Sequence, residues 1–160
     1  DVRLDLDEHL VVGEAANAGV GQGDFDIIGD GGRKQGVDCG IAFQLTNILR
    51  DVKEDADKQR VYLPAEDLAR FGVSPVTWEP RDKFLALMEF EARRARDYYT
   101  ESAPLVGLVD AGSRGSLRAL IGIYSRLLSR IVASNYDVLS RRVRVPTWEK
   151  LWVLAKSVAF

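Results

Sequence analysis

Across residues 37–158 the apolar side chains recur at spacings of three and four, with scarcely any stretch of strict alternation. Leu117, Leu120, Ile121, Tyr124, Leu127, Leu128, Ile131 and Val132 follow the i, i+3, i+4, i+7 rule almost without a break. That period puts one apolar stripe on a helix and none on a strand, so the chain is expected to be all-α. A first helix is predicted over residues 37–58, with Ile41, Leu45, Ile48, Leu49 and Val52 inward. A short one over 64–70 begins at Pro64 and stops at Gly72. A long one opens at Pro80, ends near Ser102, and turns Phe84, Leu87, Met88, Ala92, Ala95 and Tyr99 inward. Residues 110–115 are read as the link to the next helix. The last helix, from Pro146, is expected to face Trp148, Leu151, Trp152, Ala155 and Val158 into the core.

The first part of the chain is different. Nine of the 14 glycines fall within residues 13–40, and residues 1–38 carry nine acids against three bases. Glycine costs about 1 kcal/mol per helical position relative to alanine, so residues 13–36 read as loop or poorly ordered chain. We therefore divide the sequence into an atypical acidic, Gly-rich segment (1–38) and a basic helical body (39–160). The net charge of −2 gives no general attraction to nucleic acid. A single cysteine excludes an intramolecular disulfide framework and suits a reducing compartment. No run approaches the roughly 18 apolar residues of a spanning helix, and residues 1–8 are acidic where a secretory leader is basic. These features predict a cytoplasmic protein.

The chemistry concentrates on the first helix. Gln44, Asn47, Asp51, Asp55 and Lys58 fall within about 80° of arc at helical spacing. This polar stripe borders the apolar face instead of opposing it. Asp51 and Asp55 are one turn apart, and like charges at that spacing repel unless a cation lies between them. Mg²⁺ suits the position, because it takes oxygen ligands and is commonly held by one or two carboxylates plus phosphate oxygens. Asn47 adds a neutral oxygen one turn earlier, and Arg50, Lys53, Lys58 and Arg60 gather nearby as a phosphate needs. The same spacing also suits an ordinary solvent face laced by Arg50–Glu54 and Glu54–Lys58 pairs.

The wider string decides between the two. Gly40-Ile-Ala-Phe-Gln-Leu-Thr-Asn-Ile-Leu-Arg-Asp-Val-Lys-Glu-Asp55, followed by Arg60-Val-Tyr-Leu-Pro64, closely resembles the second aspartate-rich region of the squalene/phytoene synthase family. Glu66-Asp-Leu-Ala-Arg-Phe-Gly72 and Tyr136-Asp-Val-Leu-Ser-Arg-Arg-Val-Arg-Val145 extend the likeness, which spans about residues 39–158. The resemblance implies an isoprenoid synthase-like helical bundle that condenses two prenyl diphosphates, farnesyl or geranylgeranyl, head to head with Mg²⁺. It assigns Asp51, Asp55 and Asn47 to metal, and Gln44, Arg50 and Arg60 to the substrate diphosphate. It gives Arg60, Tyr62 and Tyr124 catalytic roles, with Tyr124 equally readable as a packed core tyrosine. It also implies contact with the membrane surface.

Two departures accompany the likeness. Family members are longer, with a first aspartate-rich motif on an earlier helix that nothing in this sequence replaces. Asp24-Phe-Asp26 lies in the Gly-rich stretch, and Asp1-Val-Arg-Leu-Asp5 has bare spacing only. Residues 9–38 also fail to resemble the family's helical segment. The expectation is thus the C-terminal half of such an enzyme, an incomplete bundle with little turnover alone. Its rivals are the presqualene diphosphate or squalene branch, and a non-catalytic helical module. An exposed apolar half-cavity in such a module would promote self-association or require a partner chain. Arg93-Arg94-Ala-Arg96 reads as a solvated face, Trp148 and Trp152 as packing residues, and neither His9 nor Cys39 has companions that suggest a site.

Overall fold

A computed structural model describes residues 30–159. The expectations for residues 1–29, including His9 and both Asp pairs there, lie outside the described residues. Among the described residues the secondary structure is entirely helical: α1 (Asp30–Asp57), α2 (Ala65–Phe71), α3 (Arg81–Glu101), α4 (Leu105–Leu108), α5 (Ala111–Ala133) and α6 (Thr147–Ala159).

The antecedent of everything else is the pairing of α1 with α3. Leu45, Leu49 and Val52 of α1 meet Phe84, Leu87, Met88, Ala92 and Ala95 of α3 in one buried cluster. Between them Thr46 donates to the Ala42 carbonyl at 2.8 Å and lies 2.9 Å from the Tyr99 hydroxyl, so this buried polar pair is satisfied. Phe43 then spans to α5, with its ring 6.0 Å from Tyr99 and 4.7 Å from Tyr124. Leu127, Leu128 and Ile131 of α5 complete the core.

The helix ends are set locally. Gln59 takes a left-handed conformation (φ 59°), and Arg60 N–H bonds the Asp55 carbonyl at 2.8 Å while Gln59 N–H bonds that of Ala56 at 2.9 Å. This is a Schellman closure without glycine, and it folds Arg60 back over the turn that carries Asp55. Gly72 (φ 67°) closes α2 in the same way as expected. Asp110 caps α5 by accepting from Ser113 N–H at 3.1 Å, and the Ser113 hydroxyl, then its N–H, hold the carboxyl below the usual range.

Three expectations are corrected. The first helix begins at Asp30, not Val37, so the glycines at 31, 32 and 36 are helical. Packing overrides their propensity, since Gly32, Asp38 and Cys39 are buried, and Lys34 adds exposed bridges to Asp38 at 2.7 Å and Glu101 of α3 at 2.9 Å. The link at 110–115 is the cap and first turn of α5. Most instructive is α6, whose Trp148, Leu151 and Trp152 are 69%, 60% and 51% exposed, with Ala155 exposed too. Val153 is the inward residue, and α6 lies so close to α5 that a Cβ on Gly122 would sit 2.9 Å from Val153 Cγ1. Trp148, Leu151, Trp152 and Ala155 therefore face away from this body, and the two tryptophans are not core packing here.

Candidate active site

The stretch after α5 builds the half of the site that is remote in sequence. Asn135 and Tyr136 turn the chain with φ of 52° and 56°, and Tyr136 N–H bonds the Ile131 carbonyl at 3.0 Å. A tyrosine in this conformation costs about 1–2 kcal/mol, and burial of its ring among the core residues holds it there. Val138, Val143 and Val145 are buried in turn, so the strap they form is pinned against the core. Arg142, between two of these anchors, reaches across to α1.

There it meets Asp51. Arg142 Nη2 lies 3.0 Å from Asp51 Oδ1, and its Nη1 lies 3.1 Å from Glu54 Oε1. Arg50 donates from Nε to Asp51 Oδ1 at 2.8 Å and pairs again through Nη2 with Oδ2. Burial pushes the Asp51 carboxyl up, yet the two guanidiniums outweigh it and hold the group below the usual carboxylate range. Asp55 moves the other way. Burial raises it first and the Asp51 charge second, against partial relief from Lys58 and Arg60. The solvent-face reading therefore fails in detail: Arg50 turns to Asp51, and Glu54 is claimed by Arg142.

The predicted residues distribute around this pair. Asn47 is half-buried, and its Oδ1 has no hydrogen-bond partner, an unsatisfied acceptor one turn from Asp51. Asp55, Arg60 and Tyr62 line one small hollow with Ile48, Val52 and Trp78, the Tyr62 side chain being half-exposed at its rim. Arg50 and Tyr124 line a separate cleft of about 580 Å³, with Arg142, Arg144 and Lys150 as further cations and Ile123, Leu127, Val143 and Val145 as apolar wall. Gln44 is exposed on α1 and lines neither space. Tyr62 and Tyr124 are thus not brought into one chamber. Tyr124 is half-buried against Phe43, between packed and free.

Arg142 and Lys150 escaped the sequence reading. Arg142 belongs to the segment 136–145 that resembles the family, but no local spacing relates it to Asp51.

These oxygens suit a hard cation in part. Asn47 Oδ1 lacks a donor, and Asp55 carries a charge that Asp51 opposes; a bound cation would relieve both. Among the described residues no cluster of three or more acidic, His or Cys side chains stands ready for a metal.

Known proteins are similar to this chain over most of its length. The squalene/phytoene synthase family model matches residues 11–149, which takes in most of the Gly-rich segment set apart above. The 15-cis-phytoene synthase of Synechococcus elongatus is 43% identical over 115 residues, covering 70% of this chain and 37% of the relative. The phytoene synthase of Mycobacterium tuberculosis is 39% identical over 126 residues, covering 75% and 42%. A crystal structure of a dehydrosqualene synthase in complex with ligand superposes with a TM-score of 0.69 at 31% identity, covering 78% of this chain and 45% of that one. The chain therefore spans less than half the length of these relatives. With its second aspartate-rich region on α1 and the family match running over most of its length, the chain belongs to the squalene/phytoene synthase family.

Proposed function

We propose that this chain forms one metal-binding face of a prenyltransferase that joins two prenyl diphosphates head to head, as the phytoene and squalene synthases do. The observation that carries the reading is the Asp51–Asp55 pair on one helix face, flanked by Arg50, Arg142 and the unpartnered Asn47 oxygen. Family members act on prenyl diphosphates with a divalent metal. Here we take the metal to be Mg²⁺, held by Asp51, Asp55 and Asn47. When bound it supplies positive charge that makes diphosphate a better leaving group.

The chain's own residues do the rest. Arg50 and Arg142, already pointing at Asp51, can turn a second N–H toward a diphosphate oxygen, and Arg60 approaches from the far side of Asp55. Ile123, Leu127, Val143 and Val145 wall off water along the prenyl chain. Tyr124 sets its phenol beside Arg50 at the mouth of that wall, where it can orient the substrate. Gln44 faces outward, toward the part of the substrate that this face does not enclose.

With a single aspartate pair, the chain should bind prenyl diphosphate weakly and turn it over little. Incubation with Mg²⁺ and labelled farnesyl or geranylgeranyl diphosphate tests this. Binding that disappears in Asp51→Asn and Asp55→Asn supports the reading; steady hydrocarbon product from the chain alone refutes the predicted inactivity. A second reading, a helical module completed by another chain or copy, is favoured by the apolar outer face of α6. Native mass spectrometry discriminates, since a monodisperse monomer argues against obligate pairing. In either reading the exposed Trp152, with Arg126 and Lys156 each 5.2 Å from its ring, suits a peripheral position on a membrane.

A further inference from the structure

Glu91 is the most deeply buried acid among the described residues, its side chain 0% exposed in the middle of α3. Neither of its oxygens has a hydrogen-bond donor when both it and Asp67 are ionised. Asp67 of α2, itself 15% exposed, lies within hydrogen-bonding reach, and a bond between two carboxyls requires that one of them hold a proton. Arg94, one turn along α3, stands 3.7 Å from each and is 44% exposed, too far and too wet to neutralise both. No other charge among the described residues acts on Glu91, whether from α1, α5 or the strap.

We propose that Glu91 holds a proton that it donates in a hydrogen bond to Asp67 across the α2–α3 contact, and that this bond latches α2 onto the body of the fold together with the segment carrying Arg60 and Tyr62. Apolar contacts also hold the short helix α2, with Leu63 before it and Val73 after it buried in the core. Leu68 is its buried anchor, and Phe71 meets Phe90 at 5.5 Å beneath Arg70. The segment 58–64 runs directly from the end of α1, beside Asp55, into α2. Movement of α2 therefore moves Arg60 and Tyr62 relative to Asp55. Glu91 is a positioning residue in this scheme, acting through Asp67; its link to diphosphate rests on the prenyltransferase reading above.

Burial, then Asp67, push the Glu91 carboxyl up to about 7. In the released state it returns to its ordinary value of 4.5. The closed form thus binds the extra proton between pH 4.5 and about 7, so opening rises about tenfold per pH unit across that window and levels off above it. The latch is tight in mild acid and weakest at neutral pH and above.

Amide hydrogen exchange of the full chain, corrected for intrinsic rates, tests this directly on peptides covering residues 58–71. In the unmodified chain the opening equilibrium should rise at least about tenfold between pH 5 and pH 7.5. In Glu91→Gln, neutral at every pH, it should change by less than about twofold. Should that variant fail to fold, Asp67→Asn removes the Asp67 contribution at the more exposed position and leaves that of burial, so it should reduce the rise without abolishing it. An equal rise in the variant, or none in the unmodified chain, overturns the latch. Calorimetry with Mg²⁺ and inorganic pyrophosphate adds the functional arm. Glu91→Gln should bind severalfold tighter than the unmodified chain at pH 7.5 and equally at pH 5; identical affinities at both pH values overturn the coupling to Arg60 and Tyr62. Absence of pyrophosphate binding at every pH refutes the prenyltransferase reading and leaves the latch to be judged on exchange.

Discussion

Replacing Arg142 with methionine should move two affinities in opposite directions. The guanidinium lies 3.0 Å from Asp51 and 3.1 Å from Glu54, so it competes with any cation for the same carboxylates while offering its charge to an anion. Two unit charges about 4 Å apart interact by about 4 kcal/mol at an effective dielectric of 20. The Arg142 side chain is 35% exposed and Asp51 17%, and solvent screening brings the net effect down to about 1 kcal/mol. Asp51 keeps Arg50, so it remains ionised. Methionine preserves much of the aliphatic bulk between Val143 and its neighbours, which confines the change to charge. Isothermal titration with Mg²⁺ alone should therefore show about fivefold tighter binding in Arg142→Met, and pyrophosphate with saturating Mg²⁺ at least about fivefold weaker binding. If both affinities fall together, Arg142 is structural. If neither moves, the contact with Asp51 has no bearing on the site.

Phe84→Ala should destabilise the chain by about 3–5 kcal/mol, because the ring is fully buried where α3 meets Trp78 and α1, whereas Trp152→Ser on the outer face should change urea unfolding by less than about 1 kcal/mol. Gly36→Ala, with nothing within 4 Å of the new methyl, should stabilise by about 1 kcal/mol, while Gly122→Ala should fall about 1–3 kcal/mol short of that because its Cβ meets Val153 at 2.9 Å. Cys39 is 3% exposed with a thiol raised by burial to about 11, despite a bond to Ser102 that favours the thiolate. Iodoacetamide at pH 8 should leave it unmodified in the native chain and label it promptly in urea; fast native labelling would show that the α1–α3 seam opens.

The helices were legible because their information is local. A 3.6-residue period marked α1, α3 and α5, Gly72 announced the end of α2, and the placement of Asn47, Asp51 and Asp55 on one stripe followed from spacing alone. Legibility failed where a tertiary partner outweighed a local preference. Residues 30–36 are helical although rich in glycine, because this end of the helix packs on the body, with Gly32, Asp38 and Cys39 buried. The stripe of Trp148, Leu151 and Trp152 was equally visible, but periodicity names a face without saying what lies opposite, and here Val153 turns in instead.

The same division runs through the site. By itself the sequence determined that this is a helical chain of the squalene/phytoene type bearing two carboxylates a turn apart, since both facts are written in contiguous residues. Only the tertiary structure decided which cations attend them. Arg142 reaches Asp51 because buried valines pin its strap, Glu54 is drawn away from Arg50, and Glu91 loses water to the packing of α2 on α3. Charge acts through space with a strength set by burial, and neither distance nor burial is a property of a residue's position in the chain.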